Sequence, residues 1–417
     1  MFEKTPRRAF LKSCARLGAA AGALPLAQAL FPAAAQAAAG QSTKKHIAVV
    51  GAGAFGGWTA LHLLRRGARV TLLDAWGPGN ARASSGGETR VIRATYGPSR
   101  IYVQMVLRAL EQWREADQRW GTRLFNRSGV LWMAGKKDDY EKASLPLMKQ
   151  AGFAHEVLTP AEAAKRYPQI NFGGVKWAIF EPDSGYLLAR QSCERVLEAF
   201  LTEGGEYRQT SARPGPVEGD EMRPVTLSGG GTLSADSYVF ACGPWLGKLF
   251  PGVLDARIRV TRQEVYYFGP PEGDARFREG ALPVWIDNGE HIFYGIPANR
   301  WRGFKLADDT RGPLFDPTSG DRAPSAAGIA AARDYLKLRF PALAGAPLVE
   351  ARVCQYENSS DEHFILDRHP QAGNVWLLGG GSGHGFKHGP ALGEMAAQAV
   401  LGQKPADPFF ALARFKN

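Results

Sequence analysis

Three glycines, an aspartate and a cysteine are the residues whose spacing speaks first. Gly51, Gly53 and Gly56 stand as G-x-G-x-x-G in "HIAVVGAGAFGGWTALHLLRRGARVTLLD", and Asp74 closes that run 21 residues after Gly53. Glycines so spaced let backbone approach a pyrophosphate, and a helix starting there offers it unpaired N–H donors. A carboxylate ending the second strand accepts both ribose hydroxyls. Between a strand and a helix, with an acid at that distance, the triplet points to a bound dinucleotide; the alternative is glycines that serve helix–strand packing alone. Cys354 poses a different question. It is one of four cysteines in 417 residues and stands two residues before Tyr356, in "RVCQYENSSDEHFILDRHP".

The elements that must position these residues can be read from their patterns. "IAVV" is an apolar, β-branched burst of the kind a buried parallel strand needs, and "RVTLLD" is its partner. Between them Trp58, Leu61 and Leu64 keep helical spacing up to Gly67. "QSCERVLEAFLTEGGEY" is an amphipathic helix, and "SYVFACG" is a buried strand entering a turn at Gly243. Cys193 falls in that helix and Cys242 at that strand's end, so both read as packing residues. "VWLLGGGSGHGFKHGPALGEMAAQAV" is a strand, a glycine turn containing Gly383, and a helix with Pro390 in its first turn, where a missing N–H has no cost. Lys387 and His388 stand at the entrance to that helix. "VTRQEVYYFG" and "HIFYGIP" alternate and are rich in aromatics, as half-buried antiparallel strands are.

The composition is globular: 45% hydrophobic, 22% charged, with 49 glycines and 27 prolines spread along the chain, so two domains are the natural expectation. The formal charge of +11 could suit nucleic acid, but no C-x-x-C pair, helix-turn-helix signal or block of like charges supports that partner. A basic balance equally suits an anionic dinucleotide and an anionic substrate. No group of residues suggests a metal site. The first 40 residues differ in kind. Arg7 and Arg8 precede Phe10, Leu11 and Lys12, a weakly apolar stretch follows, and an A-x-A site lies near Ala35–Ala37. This has the form of a twin-arginine export signal, so the expected location is periplasmic, with the export machinery as a partner. Pro25 and Pro32 interrupt the apolar stretch and speak against an uncleaved anchor helix.

Beyond the glycine triplet, "SSGGETRVIRATYG", "YVFACGPW", "YGIPANRWRGFKLADDTRG", "CQYENSSDEHFILDRHP" and "GGGSGHGFKHGPALGE" occur in that order. Together they resemble the flavin-dependent D-amino-acid-oxidase superfamily, specifically its branch of monomeric sarcosine oxidase and N-methyltryptophan oxidase. The resemblance implies an α/β architecture: a doubly wound FAD-binding domain in three pieces, with an interleaved α+β substrate domain on a mostly antiparallel sheet. The expected boundaries are 1–39 for the signal peptide, 44–96, 187–249 and 350–403 for the FAD domain, 97–186 and 250–349 for the substrate domain, and 404–417 for a tail. A monomer is favoured.

The resemblance also assigns roles. Gly51, Gly53, Gly56, Asp74, Gly243, Gly383 and His388 belong to the cofactor site, and Cys354 carries FAD through a thioether. The helix entered at Lys387 and His388 points at the ring's pyrimidine edge, where a positive dipole end stabilises the reduced form. An exported enzyme would gain from permanent attachment, because free flavin is scarce outside the cytoplasm. Arg93 and Lys387 correspond to the pair that clamps a substrate carboxylate, as two cations suit that group. Tyr294 and Tyr356 line the pocket, Arg90 lies beside the ring, and Lys305 is the cation that activates O2. The implied reaction is transfer of a hydride equivalent from the carbon beside nitrogen to the flavin, hydrolysis of the imine, and reoxidation by O2 to peroxide. Two positions depart from the branch: where it has histidines, the first position is Gly86 and the second falls at or beside Asp309. We therefore expect a substrate bulkier than sarcosine, cyclic, or carrying a second cation that Asp309 or Asp308 meets, unless Asp309 merely neutralises Lys305 or Arg311. The competing readings are a flavin dehydrogenase with a respiratory acceptor and a non-catalytic flavin-binding protein.

Overall fold

The computed structural model describes residues 44–299 and 302–415. The export signal assigned to 1–39 lies outside the described residues. β1 (His46–Val50) runs into α1 (Ala54–Arg65), and α1 returns to β2 (Arg69–Asp74) parallel to β1, with His46 opposite Arg69 and Val50 opposite Leu73. All five residues of β1 are buried, as a strand covered on both faces must be. Around this unit a six-stranded sheet forms in the order Ile365–His369, Ala372–Gly379, Ser237–Phe240, β1, β2, Glu206–Gln209. Its neighbours are parallel except for the antiparallel edge strand Ile365–His369.

A second, eight-stranded sheet is antiparallel except where Val284–Asn288 lies parallel to Val130–Ala134. Its two faces differ. Leu131, Met133, Trp285, Phe304 and Leu306 point to one side and pack with Tyr335 and Leu336 of the helix Ala326–Arg339. The other side carries Cys354, Tyr356, Lys305 and Tyr294. Register puts them together: Tyr267 pairs with Lys305, Val265 with Ala307, Ala307 with Tyr294, Gln263 with Cys354 and Thr261 with Tyr356, and side chains two residues apart share a face.

The strand Leu348–Ser359 is grouped by the sequence boundaries largely with the dinucleotide piece at 350–403. It hydrogen-bonds instead to Ile258–Phe268, in register from Ile258 opposite Ser359 to Tyr267 opposite Glu350. Its alternating polar and apolar residues suit a half-solvated antiparallel ribbon rather than a strand buried between helix layers. The segment after 404 is docked rather than loose: Phe410 is fully buried, and Arg414 Nε donates to Asp361 Oδ2 at 2.7 Å.

Candidate active site

Two cavities meet at a common wall of Arg90, Tyr356, Gly383 and Phe386. The first, of 370 Å³, runs along the C-terminal ends of β1 and β2. Gly51 has φ +105, and a Cβ there would lie 2.3 Å from the Ala241 carbonyl oxygen, so only glycine lets the turn pass between the two strands. A Cβ on Gly56 would stand 1.9 Å from the Gly51 oxygen, which makes Gly56 the packing residue of α1 while Gly51 and Gly53 face the cavity. Asp74 accepts the Ala52 N–H at 2.7 Å on one oxygen, and the Trp76 and Gly77 N–H groups at 2.9 and 2.8 Å on the other. Burial raises its carboxyl above the usual range, and these three donors oppose that shift. Trp76 and Trp245 lie 5.0 Å apart on the same wall, with Gly243 (φ +49) beside them.

At the other end, Arg90 leaves β3 (Thr89–Ile92) with its guanidinium donating to the carbonyl oxygens of Ser84 and Thr89, and lies 3.6 Å from Cys354 Sγ. Cys354 is half-buried, unpaired, and just behind the common wall rather than on it. Lys305 is also set back from both cavities. It is 1% exposed, donates to the Thr89 carbonyl at 3.0 Å and lies 5.5 Å from the Tyr294 ring. Burial, and then the like charge of Arg90, push its ammonium down to about 7.

The second cavity, of 630 Å³, has aromatic sides and a cationic floor. Arg93 lies between two rings, 4.5 Å from the centre of Tyr96 and 4.7 Å from that of Trp132. Lys387 Nζ donates to Tyr96 Oη at 2.8 Å and to the His384 carbonyl at 2.7 Å, and burial followed by Arg93 holds it well below an ordinary lysine. Arg93 and Lys387 thus reach one spot from opposite ends of the chain. The buried carboxylate of Glu181 fixes this arrangement by accepting the Ala94 and Thr95 N–H groups at 2.8 and 2.9 Å. α2 (Arg100–Trp120) backs the floor, where Trp113 Nε1 donates to the Lys387 carbonyl at 3.0 Å.

Two assignments need correction. Gly86 lines neither cavity; a Cβ there would meet the Asn80 carbonyl oxygen at 2.1 Å, and its own carbonyl accepts from Arg190 at 3.1 Å. It is a tight backbone crossing, so it opens no volume beside a substrate. His388 is not at the cofactor cavity either. Its ring is fully buried, with Nε2 2.8 Å from Tyr96 Oη, so it supports the wall of the second cavity from behind. Asp309 does line the second cavity, but it is already engaged: Tyr356 Oη donates to Oδ1 at 2.8 Å and Arg311 Nη1 approaches Oδ2 at 3.5 Å. No bond joins Lys305 to Asp308 or Asp309 among the described residues; Asp308 caps the Thr310 N–H at 2.8 Å instead.

Sequence reasoning missed Tyr96, Glu181 and Glu357, the last a buried carboxyl on the first cavity accepting Ser84 Oγ at 2.6 Å. Tyr96 was the recoverable one, since it ends the same "RVIRATY" run as Arg90 and Arg93. Nothing local marks the other two.

A family profile described as FAD dependent oxidoreductase (DAO) matches residues 46–399. The monomeric sarcosine oxidase of Bacillus sp. strain B-0618 is 32% identical over 374 residues, which is 86% of this chain and 93% of that protein. The N-methyl-L-tryptophan oxidase of Yersinia pestis is 27% identical over 376 residues, 88% of this chain and 98% of that protein. Of the solved structures, L-proline dehydrogenase from P. horikoshii superposes with a TM-score of 0.77 at 21% identity, covering 89% of this chain and 98% of that one, a likeness of fold.

Proposed function

The chain belongs to the DAO family of FAD-dependent oxidoreductases, and from that premise we propose that it oxidises the C–N bond of a secondary or N-substituted amino acid and passes the electrons to O2. The observation that carries this reading is the junction of the two cavities: a dinucleotide cradle opens, across Arg90 and Tyr356, onto a chamber whose floor is Arg93 and Lys387. The cradle fits FAD, because Gly51 and Gly53 line the first cavity with bare backbone at the start of α1 and Asp74 is held oriented by three N–H groups. Gly51, Gly53 and Asp74 would hold its phosphates and ribose, while Arg90, Tyr356 and Gly383 would flank its ring. Bound there, FAD supplies the two-electron acceptor.

The chain's own residues supply orientation and electrostatics. Arg93 and Lys387 bind the carboxylate, and Tyr294 and Tyr356 wall the amine against the common junction. Lys305, set behind that junction on the same sheet face as Cys354, is the cation that assists electron transfer to O2. Cys354, with a cationic neighbour at 3.6 Å, is the attachment point for FAD. A chamber of 630 Å³ is in the range that holds drug-sized ligands, so the preferred substrate carries a substituent larger than methyl. The N-terminal 39 residues direct export to the periplasm, which mass spectrometry of the N-terminus from a fractionated host checks.

A panel of N-methyl, N-benzyl, cyclic and dibasic amino acids, scored by anaerobic flavin bleaching, tests the whole reading. Bleaching followed by one peroxide per turnover in air supports an oxidase. Dye reduction without peroxide makes it a dehydrogenase, and no bleaching by any amine ends the proposal.

A further inference from the structure

Arg311, a charged residue of the second cavity, ties several separate segments together. Its Nη1 donates to the Asp309 carbonyl at 2.9 Å and faces the Asp309 carboxylate at 3.5 Å. Its Nη2 donates to Glu362 Oε1 at 2.9 Å and to the Ser382 carbonyl at 3.3 Å. Its guanidinium lies 5.2 Å from the centre of the Tyr356 ring. Glu362 (φ 62) and Ser382 (φ 46) are also the only non-glycine residues with positive φ among the described residues. Backbone held in that region persists where its surroundings over-determine it, and both residues meet the same guanidinium.

The consequence for the cavity concerns charge. Asp309 faces the chamber with one oxygen taken by Tyr356 and the other by Arg311, so its negative charge is spent inside the wall. A carboxylate left alone there would attract a cationic substituent. Arg311 also meets Glu362 at 2.9 Å, whose side chain is 60% exposed, so neither carboxylate beside it stands unmatched, and much of the neighbouring wall is aromatic: Tyr96, Trp132, Tyr140, Tyr294 and Tyr356.

Resting on the amino-acid oxidase reading above, we propose that the Asp309–Arg311 pair is the specificity determinant of this cavity and selects carboxylate-bearing amines whose substituent is bulky and uncharged. Of the alternatives the sequence left open, this takes the one in which Arg311 neutralises Asp309, because the acid that would have met a cation already has a partner. The pair works by cancellation. Arg311 blocks what Asp309 alone would bind, at the cost of holding opposite charges in a partly aromatic wall.

The test uses the FAD-loaded full chain and equilibrium binding of three non-oxidisable carboxylates: 3-phenylpropanoate (neutral), 4-trimethylammoniobutanoate (cationic) and glutarate (anionic). The native protein should bind 3-phenylpropanoate best. Arg311→Gln should move the cation-to-neutral affinity ratio toward the cation by about tenfold or more, about 1.4 kcal/mol. Asp309→Asn should leave the anion-to-neutral ratio near its native value, because Glu362 still holds the guanidinium at 2.9 Å, and the double variant should shift less toward the cation than Arg311→Gln alone. A merely structural role lowers all three affinities alike. Tighter binding of 4-trimethylammoniobutanoate than 3-phenylpropanoate by the native protein, or a cation-to-neutral ratio that stays put in Arg311→Gln, overturns the proposal. If Arg311→Gln fails to fold, Arg311→Met decides it by the same ratio. Flavin bleaching by the amine panel fails or succeeds independently of these ratios, so the two readings fall separately.

Discussion

The two cavities are built from different materials. The dinucleotide cavity is shaped chiefly by backbone: a turn between two parallel strands, the start of α1, and positive-φ glycines such as Gly51, Gly243 and Gly383. The amine cavity is shaped by side chains from distant parts of the chain, with Arg93 and Lys387 on its floor and Asp309 and Arg311 on its wall. Backbone sites tolerate no added atom, because the chain itself occupies the space. Side-chain sites tolerate exchange of atoms but not of charge. Substitution in the first should therefore cost stability and cofactor, and substitution in the second should cost rate or selectivity in a chain that still folds.

The largest effect expected is all-or-none and falls at the junction. Cys354→Ser should abolish flavin fluorescence of the denatured, acid-treated protein on a gel, while the folded variant still takes up FAD into the backbone-made cavity. A fluorescent Cys354→Ser band moves the attachment elsewhere, and a dark native band removes the covalent link. Next is Lys305→Met. Losing one preorganised charge typically costs on the order of 10²–10³ in rate. Stopped-flow reoxidation by O2 should slow by that factor while reduction by substrate changes little; unchanged reoxidation would leave Lys305 as a buried structural cation.

Smaller effects sharpen the contrast between the cavities. Arg93→Gln or Lys387→Met should lower kcat/KM for a carboxylate substrate by roughly 10–100-fold, since a charge-assisted hydrogen bond is lost, with the melting temperature nearly kept. Gly56→Ala should do the reverse. Its new methyl would enter the Gly51 oxygen, so about 1–3 kcal/mol of stability should go, with kcat unchanged in the molecules that retain FAD. A large loss of stability in Arg93→Gln, or none in Gly56→Ala, breaks the comparison. The smallest effect is a pH profile. With the Lys305 ammonium pushed down to about 7 by burial and Arg90, the cation is present below that value and lost as pH rises through it. Reoxidation should fall across that range in the native enzyme and be flat in Lys305→Met.

The cations near the junction were implied by the family resemblance. The sequence by itself determined the glycine turn, the acid at the end of β2, and the contrast between buried parallel strands and an alternating antiparallel sheet. These are legible because each needs only a local pattern: a period of two or 3.6, a residue without Cβ, an acid at fixed distance along one strand–helix–strand unit. Tertiary structure alone decided what faces what. Gly86 and Asp309 both occupied positions that read as substrate-facing; one is a backbone crossing against Asn80, and the other lies in the wall with its charge already matched. His388 read as a cofactor residue from its place in a glycine-rich run, yet one step beyond Lys387 the chain turns its ring behind Tyr96. Arg311 stands two residues from Asp309 and was legible as its partner, but Glu362 and Ser382 reach it only when the sheets have packed. A linear pattern specifies which groups a chain owns and which way its backbone turns. The cancellation of one buried charge by another is a sum over neighbours brought in from far along the chain, and only the packed molecule performs that sum.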